Sequence, residues 1–391
     1  MGGMSFALSE DQELIRKSVA ELMKNFDDQY WMEKDLAHEF PTEFYKTLAD
    51  GGWMGITMPE EYGGHGLGIT EATILLEEIA RSGGAMNAAS AIHLNIFGMQ
   101  PVVKHGSDEM KARALPRIVN GDLHVCFGVT EPGAGLDTSR ITTFAKRDGD
   151  HYVVNGRKVW ISKAAESEKI LLLTRTQRYD EVEKKTDGMT LFLTDIDRSK
   201  IDIRPIRKMG RNAVTSNELF IDNLRIPVED RIGEEGQGFK LLLDGLNPER
   251  MLIASEALGI GRVALDKAVK YGNEREVFGR PIGMNQGIQF PLADALAHLD
   301  AAELVLRKAT WLYDNGKPCG REANTAKYLC AEAGFAAADR ALQTHGGMGY
   351  SEEYNVSRYF REARVMRIAP VSQEMILNYL GSHTLGLPRS Y

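Results

Sequence analysis

The sequence predicts a mainly helical protein with a β domain at its centre. Two observations support this fold class. Apolar residues recur at helical spacing up to about residue 121 and again after residue 238, whereas the period is two in between. At 391 residues the chain is also long enough for two or three hydrophobic cores. We therefore predict a helical domain over 1–121, a β domain over 122–233 and a helical bundle over 234–391.

The first domain shows apolar side chains at spacings of three and four residues. They are Leu14, Ile15, Val19, Leu22 and Met23, followed by Ile74, Leu75, Leu76 and Ile79. Glycines at 63, 64, 66 and 68 interrupt this pattern. No strand pattern precedes them, so they indicate a turn between helices rather than a phosphate-binding loop.

The β domain contains short runs of β-branched and aromatic residues separated by turn residues. Residues 151–154 and 158–161 flank the pair Asn155-Gly156, which favours the type I′ turn of a β-hairpin. Further β-type runs lie at 170–174, 189–195, 201–206 and 218–226. Their spacing of about ten residues predicts a small antiparallel barrel or sandwich.

The third domain returns to the helical period, which holds to the end of the chain. Two apolar stripes are visible. They comprise Leu252, Ile253, Ala257, Leu258, Ile260, Val263, Ala264 and Ala268, and then Leu304, Leu306, Ala309 and Leu312. Stripes of this length predict a bundle of four long helices. No strand–helix–strand alternation occurs anywhere, so a doubly wound nucleotide-binding fold is not expected.

Composition and charge limit the kinds of ligand and partner that the protein is expected to bind. The net charge of −8 disfavours nucleic acid as a ligand, and no run approaches the roughly 18 apolar residues of a membrane helix. Residues 1–6 lead into a helical pattern without the apolar core of a signal peptide. Cys126, Cys319 and Cys330 are too scattered for a zinc site or a disulfide framework, so we expect packed thiols. We predict a cytoplasmic protein that holds no metal and enters no membrane.

Two segments of the β domain carry the first functional signal. Residues 126–137 place three glycines, a proline and polar side chains behind a β run, which lets backbone amides approach a flat or phosphorylated ligand. Together with residues 159–162, this loop resembles the acyl-CoA dehydrogenase family, in which both segments line the flavin. Residues 273–286, 343–350 and 360–364 resemble later segments of the same family, in the same order. The resemblance implies FAD as cofactor and a homotetramer with FAD at a subunit interface.

The resemblance implies roles for five residues around the flavin ring. Thr130 and Ser162 would lie by the N5 edge, Phe127 and Val129 would offer backbone groups to the pyrimidine end, and Trp160 would cover one face. These roles make chemical sense because hydride transfer needs a positioned ring and donors that stabilise the developing charge.

A second set of residues would contact the rest of the FAD. In the family pattern Arg275 binds the diphosphate, for which a guanidinium fork is well suited. Its segment, with Phe278 and Gln286, would reach the FAD of a neighbouring subunit. Gln343 and Gly347 would lie near the pyrophosphate and adenosine.

The catalytic base is predicted to be Glu249. Removing the α proton of a thioester requires a carboxylate whose pKa is raised by a dry pocket. The position that commonly holds this glutamate in the family is Pro370 here. A minority, including the isovaleryl- and long-chain-type enzymes, uses a glutamate next to an arginine on a helix, and Glu249-Arg250 stands at that place. Alternatively, Asn247 caps a helix that begins at Pro248 and Glu249 only complements its dipole.

Four further substrate-site expectations follow from the resemblance. Glu374, four residues beyond the usual position, is the fallback base. Because Pro370 has no N–H, a one-residue gap would let the Ala369 amide polarise the thioester carbonyl. Arg250 is retained near the CoA chain, where Asn247 replaces a common aspartate. Leu136 replaces a serine that contacts ligand in the family.

The predicted reaction is α,β-dehydrogenation of an acyl-CoA to a trans-2-enoyl-CoA, as in fatty acid β-oxidation, with electrons passing to an electron-transfer flavoprotein. An acyl-CoA oxidase, an enoyl-CoA reductase and a flavin monooxygenase are alternatives on the same scaffold. Glu249 disfavours the monooxygenase, because oxygen insertion needs no α-carbon base. A non-catalytic homologue is a further alternative, which the joint presence of Thr130, Trp160, Arg275 and Gln343 disfavours.

Overall fold

The computed structural model describes residues 7–390. Residues 1–6, for which we predicted no signal peptide, lie outside this range. The described chain has helices on either side of a central β domain, in the predicted order. Within residues 7–390, no helix combines the length and the apolar character needed to cross a bilayer. The same residues contain no cluster of histidine, cysteine or acidic side chains arranged for a metal ion.

From residue 7 onward, seven α-helices precede the β domain. They are α1 (Glu10–Met23), α2 (Asp28–Ala37), α3 (Thr42–Asp50), α4 (Ile69–Ile79), α5 (Ala85–Phe97), α6 (Gln100–His105) and α7 (Asp108–Val119). A capping box between Ser9 and Gln12 starts α1. Gly63, at φ 84°, lies in the connection between α3 and α4, which confirms the predicted turn. All 13 residues of α5 are buried, including polar ones that need partners inside the protein.

The β domain is one eight-stranded sheet. Its strands are β1 (Val125–Gly128), β2 (Phe144–Asp148), β3 (His151–Ser162), β4 (Lys169–Arg175), β5 (Met189–Asp195), β6 (Ile201–Pro205), β7 (Ser216–Pro227) and β8 (Arg231–Ile232). The order is β6-β7-β3-β2-β4-β5-β8, with β1 beside β4. The pairing is mainly antiparallel, but β1 and β2 both run parallel to β4, which the prediction of an antiparallel domain did not anticipate.

The predicted hairpin at Asn155-Gly156 is wrong, because both residues lie inside the continuous strand β3. The register against β7 shifts between Val154 and Gly156, and the Asn223 N–H of β7 donates to Asn155 Oδ1 at 2.8 Å. A Cβ on Gly156 would lie 2.6 Å from the Cα of Thr143. Glycine is therefore required here for close packing of two backbones and not for a turn.

Five helices follow the sheet. They are α8 (Gly238–Glu274), α9 (Gln286–Asp314), α10 (Gly320–His345), α11 (Val356–Val365) and α12 (Gln373–Tyr379), with a two-stranded hairpin of β9 (Glu276–Val277) and β10 (Arg280–Pro281) between α8 and α9. The bundle comprises three long helices and the short α11, where four long ones were predicted. Leu14 and Leu304, both assigned to apolar stripes, are exposed.

The two helical regions share a hydrophobic core. Buried side chains of α4 and α5 belong to the same cluster as those of α8, α9 and α10. Cys126, Cys319 and Cys330 are free and buried, as predicted. The centre of α8, the buried helix α5 and the first strand β1 therefore meet in the interior, and the candidate site lies there.

Candidate active site

Glu249 lies in the interior of α8. The helix begins at Gly238, and Pro248 is inside it, so the alternative reading in which Asn247 caps a helix start is wrong. The Glu249 side chain has no role at a helix terminus, and the residue is 8% exposed. Its position within a buried stretch of α8 needs another explanation than the helix dipole.

The electrostatic surroundings of Glu249 suit a general base. Burial raises the pKa of its carboxyl to about 7, with the Arg250 charge lowering it and the Glu256 charge raising it. A carboxyl that is half ionised near neutral pH can accept a proton and later release it. The structure thus provides the dry environment that the chemistry requires.

Arg250 and Asn247 lie together beside the predicted base. Arg250 Nη1 donates to Asn247 Oδ1 at 2.9 Å. The Nε of Arg250 is buried and has no hydrogen-bond partner within residues 7–390. A bound ligand can accept the hydrogen bond that this buried donor does not make within the chain.

Glu374 has the wrong surroundings for a base. It lies in the first turn of α12, which Ser372 caps by accepting from the Met375 N–H at 3.3 Å. Hydrogen bonds from the backbone and from Ser372 lower the pKa of its exposed carboxyl. An ionised, solvated carboxylate is a weak proton acceptor near neutral pH, so this side chain does not compete with Glu249.

Lys327 links the turn after α11 to the surroundings of Glu249. This buried lysine of α10 donates to the Val371 carbonyl at 2.6 Å, and its charge also acts on Glu249. The peptide Ala369-Pro370 is cis. The Ala369 N–H donates to the Val365 carbonyl at 2.9 Å. The predicted contact of Ala369 with a thioester would therefore require this internal bond to break.

The loop after β1 is fastened to β3 by a buried ion pair. Lys158 Nζ donates to the Val129 carbonyl and to Glu131 Oε1, each at 2.9 Å. Glu131 also accepts from the N–H groups of Thr142 and Thr143, at 2.6 and 3.0 Å. The Val159 N–H donates to the Thr130 carbonyl at 3.0 Å. The carbonyls of the predicted flavin residues Val129 and Thr130 are thus fixed against the strand.

Trp160 projects from an irregularity in β3. The register against β7 shifts between Lys158 and Ile161, and Trp160 has φ 63°. Its side chain is 56% exposed, which is unusual for an indole within a strand. In the loop after β1, a Cβ built on Gly133 or Gly135 would meet no atom within 4 Å. A ring face as exposed as that of Trp160 can pack against a planar cofactor.

Ser162 is held by an arginine that the sequence analysis did not single out. Arg211 Nη2 donates to Ser162 Oγ at 3.0 Å and to Ser216 Oγ at 2.7 Å. Because the hydroxyl oxygen of Ser162 accepts one of these hydrogen bonds, its own hydrogen stays free to donate to a ligand. Phe127 is half-buried in β1 and packs against Phe97 of α5 at a ring distance of 6.0 Å.

The remaining predicted FAD residues lie at the other end of the molecule. Arg275 follows the last turn of α8, about 39 Å along the helix axis from Glu249. Gln343 lies in the last turn of α10, whose end is tied to that of α8 by stacking of Tyr271 on His345 at 4.3 Å. This distal group consists of Arg275, Phe278, Gln286, Gln343 and Gly347. Within a single chain, the distal group therefore lies apart from Glu249 and Trp160.

Several interior polar residues were missed in the sequence. They are His93, Lys158, Arg211, Glu256 and Lys327. For Glu256 the signal was available, because it is an acidic residue within the apolar stripe of α8. His93 and Lys327 carry no such signal, since their burial depends on which helices pack around them.

The models of three protein families match this chain. They are the N-terminal domain of acyl-CoA dehydrogenase over residues 9–122, its middle domain over 126–224 and its C-terminal domain over 236–384. Together these matches extend over most of the chain.

Individual relatives agree. Acyl-CoA dehydrogenase FadE12 of Mycobacterium tuberculosis is 38% identical over the whole of both chains. The 3-(aryl)acrylate reductase of Clostridium sporogenes is 34% identical over 96% of this chain and 99% of its own. The structure of butyryl-CoA dehydrogenase from Megasphaera elsdenii has a TM-score of 0.92 at 29% identity, covering 98% of this chain and 100% of that one. The chain therefore belongs to the acyl-CoA dehydrogenase family, whose members are FAD-dependent oxidoreductases that act on acyl-CoA.

Proposed function

We propose that this protein converts an acyl-CoA into its trans-2-enoyl-CoA, with Glu249 as the catalytic base. The observation that carries the proposal is the burial of Glu249 in the middle of α8, next to Arg250, with a pKa of about 7. No such environment surrounds Glu374.

In the proposed reaction, a Glu249 oxygen forms a bond to the α proton while the β C–H bond breaks with its electron pair leaving as hydride. The α C–H electrons become the new double bond. FAD, when bound, supplies the hydride acceptor. The Arg250 guanidinium next to Glu249 favours the ionised carboxylate before proton transfer, and burial favours the protonated carboxyl after it.

The chain's own residues would hold the cofactor. Trp160 offers an apolar face, and Ser162 offers a hydroxyl hydrogen that Arg211 leaves free. The Lys158 ion pair keeps the Val129–Thr130 backbone against β3, so the loop need not be ordered when the cofactor binds. Such preorganisation lowers the free-energy cost of binding.

The distal group implies assembly of more than one chain. Phe278 is fully exposed and has φ 55°, in the left-handed region that large side chains rarely adopt. Met284, in the turn before α9, and Phe290 and Leu296, in α9, expose further apolar surface. We propose that this surface packs on another copy in a homotetramer, so that Arg275 and Gln343 complete the FAD site of a neighbour. The family resemblance also supports an electron-transfer flavoprotein as the electron acceptor.

Replacing Phe278 with aspartate should disrupt this assembly. A buried, unpaired carboxylate at an interface is strongly unfavourable, so we expect smaller oligomers and loss of most bound FAD. Light scattering coupled to gel filtration, with the flavin absorbance of each peak, measures both. Leu14→Asp, at an exposed leucine of α1, is the matched control and should change neither quantity. Unchanged mass and FAD content in the Phe278 variant would contradict the proposed interface.

The reaction itself is tested by anaerobic absorbance. Mixing the purified protein with short, long and branched acyl-CoAs should bleach the oxidised flavin band with at least one of them. Because Glu249 must be ionised to act, the rate of bleaching should rise with pH to a plateau, with its midpoint at about 7. At pH 5 the rate should be about 100-fold below the plateau. A profile already flat above pH 5.5 would contradict Glu249 as the base.

The reverse reaction is the second candidate, favoured by the relative named 3-(aryl)acrylate reductase. A carboxyl with a pKa of about 7 can serve either as base or as acid, so the site does not bar this direction. Faster reoxidation of the chemically reduced protein by an enoyl-CoA or arylacrylate than reduction by any acyl-CoA would favour the reductase.

A further inference from the structure

A buried pair of ionisable side chains lies beside the candidate site and takes no part in the proposed reaction. His93 Nδ1 of α5 lies 2.9 Å from Glu256 Oε1 of α8. His93 is 5% exposed and Glu256 is fully buried. The second carboxyl oxygen, Glu256 Oε2, is buried without a hydrogen-bond partner in the part of the chain that the structure describes. An unsatisfied buried oxygen lowers stability, so its presence calls for a functional explanation.

Aromatic contacts place the pair next to the flavin-facing strand. The His93 ring packs edge-on against Phe97 at a centroid distance of 5.5 Å. Phe97 packs in the same way against Phe127 of β1 at 6.0 Å. His93 is therefore separated from a predicted flavin residue by a single side chain.

Glu256 and the predicted base Glu249 lie on the same face of α8. Glu256 follows Glu249 by two helical turns, so both lie on one face of α8, about 10 Å apart along its axis. The Glu256 charge contributes to the raised pKa of Glu249. The pair thus lies farther along the face that carries the reacting carboxyl.

The nearby cation does not satisfy the open oxygen. Arg211 is close enough for the Glu256 charge to affect its pKa. Its guanidinium group nevertheless donates to the hydroxyls of Ser90, Ser162 and Ser216. Glu256 Oε2 consequently remains an acceptor that only a donor from outside the described chain can satisfy.

We propose, on the basis of the function proposed above, that His93 and Glu256 form a polar subsite in the acyl pocket. The subsite selects acyl-CoA substrates that carry a hydroxyl group several carbons beyond the β carbon. The substrate hydroxyl donates to Glu256 Oε2, while His93 holds the carboxyl through Oε1. An unsubstituted chain of the same length leaves the oxygen unpaired, so it binds more weakly by about 10- to 100-fold.

The test uses equilibrium binding, separate from turnover. In FAD-loaded enzyme carrying Glu249→Gln, calorimetry gives the Kd of hexanoyl-CoA and octanoyl-CoA and of their ω-hydroxy counterparts. We expect at least one hydroxylated ligand to bind 10-fold or more tightly than its plain partner. Adding Glu256→Met, which keeps the chain length but removes the acceptor, should bring the ratio below about threefold. Adding Glu374→Gln instead is the control and should preserve the ratio.

Two outcomes would overturn the subsite, and they differ in meaning. Equal affinity for plain and hydroxylated ligands in the Glu249→Gln enzyme rejects it without any change at Glu256, so a misfolded Glu256 variant cannot obscure the result. If neither kind of acyl-CoA binds, while the unmodified enzyme is not bleached by any of them either, the proposed function fails together with the subsite.

Discussion

Replacing Glu249 with glutamine should abolish flavin reduction by acyl-CoA while leaving FAD bound. The amide has nearly the same shape but cannot accept the α proton, so the rate of bleaching should fall by about 100- to 10,000-fold, the usual contribution of a general base. Because Glu249 lies inside α8 rather than at its start, the change removes no helix cap or dipole contact. Stopped-flow absorbance under anaerobic conditions measures the rate, and the flavin spectrum measures FAD content.

Glu374→Gln is the matched control for that variant. The same chemical change at an exposed helix start should leave the rate within about twofold of the unmodified enzyme. If instead the Glu374 variant loses activity and the Glu249 variant keeps it, the base has been assigned to the wrong helix.

Replacing Lys158 with methionine should destabilise the β domain and release FAD. Lys158 is fully buried, and its ammonium group bonds both Glu131 and the Val129 carbonyl. Methionine fills similar space but leaves the buried Glu131 carboxylate without its cation, which costs about 3–5 kcal/mol in comparable pairs. The Val129–Thr130 backbone would also lose its anchor to β3. Urea unfolding, monitored by circular dichroism, measures the loss of stability. The amount of FAD that stays with the protein after gel filtration measures its release.

Lys169→Met tests whether the loss of stability in the Lys158 variant is caused by burial of the carboxylate that pairs with the lysine. Lys169 lies in strand β4 and is also largely buried, but its partner Asp195, 2.5 Å away, is mostly exposed. Water can solvate that carboxylate when the lysine is lost, so the effect should be about 1 kcal/mol or less. Equal destabilisation by the two variants would contradict the role assigned to the Glu131 pair.

The domain order could be predicted from the sequence because the change of period from helical to two and back is a local signal that marks the β region. The assignment of Glu249 as the base rests instead on the family resemblance, in which Pro370 stands at the usual glutamate position, and it stays a prediction. The Asn155-Gly156 hairpin failed because its glycine serves a close approach to Thr143, a contact between strands that no local pattern encodes. Between β9 and β10, where Phe278 and Gly279 both have positive φ, a two-residue turn does occur without its usual sequence.

The interior of the site was less accessible to sequence reasoning. His93 contacts Glu256 although 163 positions separate them, and Arg211 reaches Ser162 from a different segment of the β domain. Such pairs depend on how α5, α8 and the sheet pack together. The Ala369 amide is engaged for a local reason instead, because its partner Val365 is the last residue of α11, four positions earlier.

The core shared by the helices before and after the sheet has a consequence for folding. Since α4 and α5 pack on α8, more than a hundred residues of intervening chain must be looped out before this core can close. Long-range closure of this kind gives a high contact order and slow folding. During synthesis, the first seven helices leave the ribosome with the apolar face of α5 uncovered until α8 follows. Their exposure to aggregation and to chaperones therefore lasts for the time needed to translate the whole β domain.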